Sequence, residues 1–580
     1  MKKMMFYFFC FQFMFALTDK VSSEINSNAS DQEMLDLFEE AFYKLKKSYV
    51  DSINSEEVIK SGIKGMVKPL DPYTKLLVGS SKDRLEMLTK GKYGGVGISI
   101  GFRRDTLIVL SPMENSPAYN EGIWPGDKII QVDSISTIGM TTSEAAEIIR
   151  GEMGSEVVLH IYRPSEKKKI QFTLIRDNIK VRDVPYYGID NDEIGYIRIT
   201  RFSRHTANDF RKALIELKKE DIKGLVIDLR GNSGGLLSNA ISILDEFVDR
   251  NTLLLYTKGR IEKNNKKFRA RRNKTISSDI PISVLINKGS ASASEIVSGA
   301  LQDLDRAVII GQKSFGKGLV QSIFPLNDTA TLKITTQKYY TPSGRLIQKQ
   351  DYLGNGVLTD GFDKKDTTFT TIGGRPVKGG GGISPDIIVK SEKIPPFVQA
   401  LWREGVFLNF CASYDKSKLR YENKVVINDE IINDFIDFVK EDSLDYNDYG
   451  EYYLEKIKDA LKDKEHLLKS ENNLFDKIQF WKKGKTDLEK LSARFDEYYK
   501  YRKDNPLEDR NNKKWIKNGL EREFSRVVCG INLECHGDNS GSQERIRVSL
   551  FDDVIYNTAV ELLLDLNKYY DILSPEFLEK

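Results

Sequence analysis

Apolar residues change their spacing several times along the chain, and each change predicts a different structure. Met4 to Leu17 is an apolar run broken only by Gln12, with Lys2 and Lys3 before it. Its length, about fourteen residues, suits the core of a signal peptide and falls short of the roughly twenty a spanning helix needs. The run predicts a signal peptide over residues 1–23, export, and a soluble mature protein. A short N-terminal anchor or a buried helix is the plainer alternative. Ala16, Ser22 and Ser23 form no clean cleavage box, and Cys10 lacks the small residues of a lipoprotein box. From Asp31, read as an N-cap, Leu35, Phe38, Ala41, Phe42 and Leu45 recur at helical steps until Leu70-Asp71-Pro72-Tyr73-Thr74 breaks the pattern.

Between Tyr93 and Arg176 short alternating runs separated by Gly and Pro turns predict a small β module, with one helix over residues 143–150. From Val184 to Val389 apolar strands (194–199, 224–229, 282–286) alternate with helical stretches (206–219, 294–304), the rhythm of a mixed α/β core. Residues 349–382 read as loop, ending in the glycine run 379–382. Beyond Pro395 charged, amphipathic helix takes over. Stripes such as Ile431, Ile432, Phe435, Val439 and Leu488, Leu491, Phe495, Tyr498 read as packing faces without chemistry.

Composition narrows the chemistry. The chain has 580 residues, which at roughly 100–200 per domain predicts several domains. The charge sum, 88 − 85 = +3, supplies no bulk attraction for nucleic acid. Four cysteines and four histidines exclude a disulfide scaffold and make a zinc enzyme hard to build. After processing, Cys411, Cys529 and Cys535 remain. The last two are close enough to pair, and the sequence leaves their pairing open.

Three segments could carry chemistry. Gly289-Ser290-Ala291-Ser292-Ala293-Ser294-Glu295 lies at a strand-to-helix turn, where a hydroxyl is presented at the sheet edge and helix amides can receive an oxyanion. A Ser-rich N-cap is the bland alternative. Lys317 lies twenty-five residues after Ser292, within Ser314-Phe315-Gly316-Lys317-Gly318. A lysine desolvated there could lose its proton and act as general base, with Gln321 orienting the amine. A surface lysine in a turn would read the same way. In Asp228-Leu229-Arg230-Gly231-Asn232-Ser233-Gly234-Gly235 the glycines let backbone approach closely, so Gly234 or Gly235 could donate a further amide. Asp228 and Arg230 could simply brace the turn. His205 reads as part of a helix cap formed by Ser203-Arg204-His205. His160, His466 and His536 fall outside the core, and Ser165-x-x-Lys168 is a chance spacing. In the β module, Gly94-Gly95-Val96-Gly97-Ile98 precedes an apolar strand, and such amides can receive a carboxylate.

That β module, with Ser116-Pro117-Ala118, Gly122 and Pro125-Gly126-Asp127-Lys128-Ile129-Ile130, resembles a PDZ domain. The three chemical segments, together with Leu70-Asp71-Pro72-Tyr73 and Tyr340-Thr341-Pro342-Ser343-Gly344-Arg345, resemble the C-terminal processing peptidases, or tail-specific proteases, from about Leu37 to Val389. The resemblance implies an α+β multidomain protein with a crotonase-like mixed α/β core. Its divisions would be a helical lead-in (31–88), a PDZ domain (89–178), a serine peptidase core (179–394) and a helical C-terminal extension (395–580). It also implies Ser292 as nucleophile, Lys317 as base and Gln321 as its orienting partner. Ala293 with Gly234 or Gly235 would form the oxyanion hole, and Gly95, Val96, Gly97 and Ile98 would hold the peptide. No metal or organic cofactor is implied. The implied partners are proteins with exposed, apolar C-termini, with room for an adaptor and for homo-oligomers. The implied compartment is the periplasm. Ser233 departs from the proline frequent in bacterial members, and the extension goes beyond the minimal core. A catalytically silent PDZ scaffold is the rival reading, and a structural periplasmic protein a third. A lysine base further predicts activity that rises into the alkaline range.

Overall fold

The computed structural model describes residues 30–79, 81–82, 85, 91–103, 106–349, 367–441, 444, 446–448, 450–456, 458–459, 475–531 and 539–573. The segment predicted as a signal peptide, Cys10, Cys535, His466, His536 and half of the 349–382 loop (residues 350–366) lie outside them. The chain divides into two compact units, one running to Gly79 and including Gln321–Thr335, the other spanning Ser80–Val320 and Thr336–Lys580.

The first unit holds helices Asp31–Ser48 and Ser55–Val67. Ser30, not Asp31, is the N-cap: its Oγ accepts from Glu33 N at 3.2 Å, and its own N donates to the Glu33 carboxylate at 2.6 Å. A cap must stand three residues before the acid that answers it, and Ser30 does. Asp71 then folds the chain into a turn by accepting from Tyr73 N, Thr74 N and Thr74 Oγ1 at 2.7–2.8 Å. Strand Lys75–Val78 follows and pairs antiparallel with residues 330–333.

The second unit is built on a six-stranded sheet ordered Tyr186–Ile189, Ile194–Arg198, Gly224–Asp228, Ile282–Ile286, Val308–Gly311, Ile387–Ile388. The first pair is antiparallel and the rest are parallel. Apolar residues run consecutively in the inner strands because both sheet faces are covered. Side chains alternate between faces. Ile197, Ile227, Val284 and Ile309 pack with helices Thr206–Lys219 and Ala293–Asp303. Tyr196, Val226, Leu285 and Ile310 pack against Ile555, Tyr556 and Leu563, which belong to the far C-terminal helix Val554–Leu564. The amphipathic last third thus supplies one face of the core.

The β module places strands Ile98–Arg103, Thr106–Pro112, Lys128–Val132, Glu156–Arg163 and Lys168–Ile175 side by side in that order. Helix Thr142–Ile149 carries a Thr141/Glu144 capping box. Ile108, on strand Thr106–Pro112, joins a second apolar cluster with Phe407, Phe410, Phe435 and Phe524 of the C-terminal helices, whose rings meet at 5.0–6.0 Å. The extension therefore packs on both the module and the sheet. Inside the stretch read as loop, Thr368–Thr370 and Pro376–Lys378 instead pair as a short hairpin. Cys411 is buried and free, while Cys529 is disulfide-bonded. Among the described residues no helix is long and apolar enough to cross a membrane.

The buried ring of Phe524 serves this joint directly. Phe524→Ala should cost about 3–5 kcal/mol in denaturant unfolding, and an effect under 1 kcal/mol would contradict the packing described.

Candidate active site

Strand Ile282–Ile286 ends at a tight turn that delivers Ser292 immediately before helix Ala293–Asp303. Ser292 has φ 54° and ψ −112°, a strained backbone for a non-glycine residue and one that persists only where its surroundings hold it. The buried Glu295, three residues on, provides that hold. One carboxylate oxygen accepts from Ser292 N at 2.8 Å and from Lys317 N at 2.9 Å. The other accepts from Gly316 N at 2.7 Å and Ser314 Oγ at 2.5 Å. Tyr339 makes a second bridge, its hydroxyl donating to the carbonyls of both Ser292 and Lys317. The backbones of Ser292 and Lys317 are thus held together at two points. Burial pushes the Glu295 pKa up, against the four donated hydrogen bonds that favour the carboxylate.

The glycine turn after strand Gly224–Asp228 is stitched to the Ser292 turn. Ser290 Oγ donates to Leu229 O at 2.8 Å, Gly231 N to Asn287 Oδ1 at 2.9 Å, and Ala291 N to Asn232 O at 3.0 Å. Gly234 has φ +98°, and a Cβ there would lie 2.8 Å from Ser292 Cβ and 2.7 Å from Ala291 O, so only glycine fits. Its amide donates to Asn232 Oδ1 at 2.8 Å and so serves the turn itself. Gly235 continues the segment beside Phe202.

Asp228, fully buried, does brace this turn, as a cluster rather than a pair. Arg230 Nη2 and Nε reach it at 2.7 and 3.0 Å, Tyr196 Oη at 2.7 Å and Arg198 at 3.2 Å. Burial alone would raise its pKa. The two guanidinium charges and the hydrogen bonds outweigh burial and hold it down at about 2.

Of the remaining sequence candidates, Gln321 opens the 321–335 segment of the other unit, on strand Leu319–Pro325, and is half-buried. His205 occupies the N-cap position of helix Thr206–Lys219 but makes no side-chain cap bond. The Ser203 hydroxyl donates to buried Asp183 instead of capping the helix, because that carboxylate gathers Ser203 and Thr206 together. In the β module Gly95, Val96, Gly97 and Ile98 are all buried and lead into edge strand Ile98–Arg103, which lies beside helix Thr142–Ile149. Gly97 takes φ +76°, and its carbonyl accepts from Met113 N at 2.7 Å and Ser116 Oγ at 3.2 Å. Val96 O accepts from Ala118 N at 3.0 Å.

Comparison with known proteins gives the arrangement its family. Residues 193–360 match peptidase family S41, and residues 108–163 match a PDZ domain. The carboxy-terminal-processing protease of Bartonella bacilliformis is 38% identical over 339 residues, covering 58% of this chain and 76% of the relative. This chain belongs to peptidase family S41. It is a serine peptidase of the carboxy-terminal processing group, with a PDZ domain. The carboxy-terminal processing protease CtpB of Bacillus subtilis is also similar, 35% identical over 336 residues, 57% of this chain and 69% of that one. Both matched family spans end before the helical last third of this peptidase.

Glu295 and Tyr339, which join the backbones of Ser292 and Lys317, are not singled out by the sequence motifs. Glu295 left a signal, because Ser292-Ala293-Ser294-Glu295 has the S-x-x-E spacing of a capping box. Tyr339, 47 residues from Ser292, left none.

Glu295→Gln keeps the shape but turns acceptors toward donors. It should cut turnover about a hundredfold while leaving peptide-tail affinity unchanged, as measured by steady-state kinetics beside tail-peptide titration. For Asp228, whose pKa is lowered, the stabilisation is present above about pH 4 and lost as pH falls toward 2. It amounts to about 2 kcal/mol. The melting-temperature gap between wild type and Asp228→Asn should therefore be constant from pH 7 to 5 and shrink below pH 4. A gap that shrinks already at pH 6 would contradict the charge cluster.

Proposed function

We propose that this peptidase cleaves exported proteins near their C-termini through a Ser292/Lys317 dyad. The neutral Lys317 amine takes the Ser292 Oγ proton as Oγ bonds to the scissile carbonyl carbon. The resulting ammonium then gives that proton to the departing amine as the C–N bond breaks. Water next attacks the Ser292 ester, delivering one proton to Lys317, and Oγ leaves with it. The Ala293 amide, at the first turn of its helix, and the Gly235 amide receive the oxyanion. The Gly234 amide is spoken for by Asn232.

The observation that carries this reading is the double bridge from Glu295 and Tyr339 to the backbones of both Ser292 and Lys317. Ordinary N-capping needs no second anchor to a lysine 25 residues away.

The PDZ domain takes the substrate's C-terminal carboxylate at the Gly95–Ile98 loop, where the Val96 and Gly97 carbonyls are already engaged. The tail adds as a strand along Ile98–Arg103. Export rests on the apolar run Met4–Leu17 behind Lys2 and Lys3.

The test compares wild type, Ser292→Ala and Lys317→Ala on an unfolded protein with an apolar C-terminus. Each substitution should lower cleavage by about a thousandfold or more. Equal degradation by all three would remove the dyad. Amidating the substrate's C-terminus should raise KM with little change in kcat, and an unchanged KM would remove the carboxylate from recognition.

A further inference from the structure

Asp553 of the C-terminal extension meets the glycine turn beside Ser292. Helix Val554–Leu564 is capped by Asp553, whose Oδ1 accepts from Ile555 N at 3.0 Å and Tyr556 N at 3.1 Å. The same carboxylate receives Arg230 from 323 residues away, with Nη1 to Oδ1 at 2.9 Å and Nη2 to Oδ2 at 2.7 Å. Arg230 is two residues beyond Asp228 and immediately precedes Gly231, where the turn toward Gly234 and Gly235 begins. We propose that Asp553 is a positioning residue for the oxyanion turn, holding Arg230, and through it residues 229–235, against Ser292 and Ala293. The proposal rests on reading that turn as the oxyanion hole.

Charge and burial both favour such a role. Arg230 and Asp553 have side chains only 13% and 20% exposed, and Asp228 is fully buried. Arg198, Arg230, Asp228 and Asp553 sum to zero charge, whereas without Asp553 the cluster carries one uncompensated cation. A two-carboxylate grip fixes both edges of the Arg230 guanidinium, and a planar fork held on both sides cannot swing. Asp228 alone holds the arginine from the sheet side. Asp553 holds it from the extension, and the Asn287 and Ser290 bonds tie the turn to the nucleophile loop. Ala291 N to Asn232 O adds a further tie. Loss of the Asp553 grip from this set lets amides drift, and displacements of about 1 Å are enough to cost a hundredfold in rate.

The helix that carries Asp553 has other anchors. Tyr556 Oη donates to Asp190 Oδ2 at 2.7 Å, and its ring stands edge-on to Tyr196 at 5.4 Å. Ile555, Leu562 and Leu563 are buried in the core. Removing the Asp553 carboxylate therefore need not undock the helix, and the effect on the turn can be read separately.

The test uses the full chain with Asp553→Ser, which keeps an N-cap hydroxyl but is too short to grip Arg230, and Asp553→Asn, which keeps the cap and an acceptor without charge. Amide hydrogen exchange should quicken in residues 230–236 of the Ser variant while helix Val554–Leu564 stays protected. Its kcat should fall about ten- to a hundredfold with KM within twofold. The Asn variant should lie between the Ser variant and wild type. Unchanged exchange in residues 230–236 would overturn the proposal. So would quicker exchange with unchanged kcat, or a rate loss matched by a loss of titratable active sites. Quicker exchange in the variant of a wild type that cleaves nothing would uphold the restraint and instead remove the proteolytic reading.

Discussion

The buried Glu295 carboxylate holds this site together. A serine with φ 54° is unfavourable by itself, and a lysine in a glycine-flanked turn has no intrinsic reason to stay near it. One carboxylate accepting four donors removes both difficulties, since it fixes the Ser292, Gly316 and Lys317 amides and the Ser314 hydroxyl in a single geometry. The cost is a desolvated acid whose pKa is pushed up, and the four donors offset it. Because it binds Ser292 and Lys317 through their main-chain amides, the carboxylate positions both while leaving their side chains available for the proposed chemistry.

The second constraint is coverage. Strands such as Gly224–Asp228 and Ile282–Ile286 are buried along their whole length, so the sheet needs cover on both faces. The last third of the chain meets that need with Ile555, Tyr556 and Leu563, and its Phe407–Phe435–Phe524 cluster reaches the PDZ domain through Ile108. One set of helices is thus packed on the domain proposed to bind the tail and on the sheet that presents Ser292. Asp553 adds a polar connection to that apolar one.

Much of this could be read in the sequence where local rules decide. Helix Thr206–Lys219 and strand Ile282–Ile286 lie where periodicity put them, and other boundaries moved by a residue or so. Ser30 displaced Asp31 as cap because capping depends on a three-residue spacing to Glu33 as well as on residue type. The hairpin Thr368–Thr370/Pro376–Lys378 was hidden by the glycines around it. What local rules could not supply was long-range polar contact. Tyr339 and Asp553 touch the site from 47 and 323 residues away, and nothing in their neighbourhoods marks them. The extension was read as packing faces alone. That holds for Ile431, Ile432, Phe435 and Val439, which are buried, but Leu491, Phe495 and Tyr498 stay 40–51% exposed and form no packing face. The reading also passes over Asp553, whose carboxylate reaches the glycine turn.

The dyad is the claim on which the account stands. Its most direct measurement is the site of covalent capture. The protein would be incubated with a serine-directed sulfonyl fluoride and the adduct mapped by peptide mass spectrometry in wild type and Lys317→Ala. The account predicts a single adduct on Ser292, formed rapidly in wild type and slowed at least a hundredfold in Lys317→Ala. An adduct on another residue, or labelling of Ser292 at the same rate without Lys317, would contradict it.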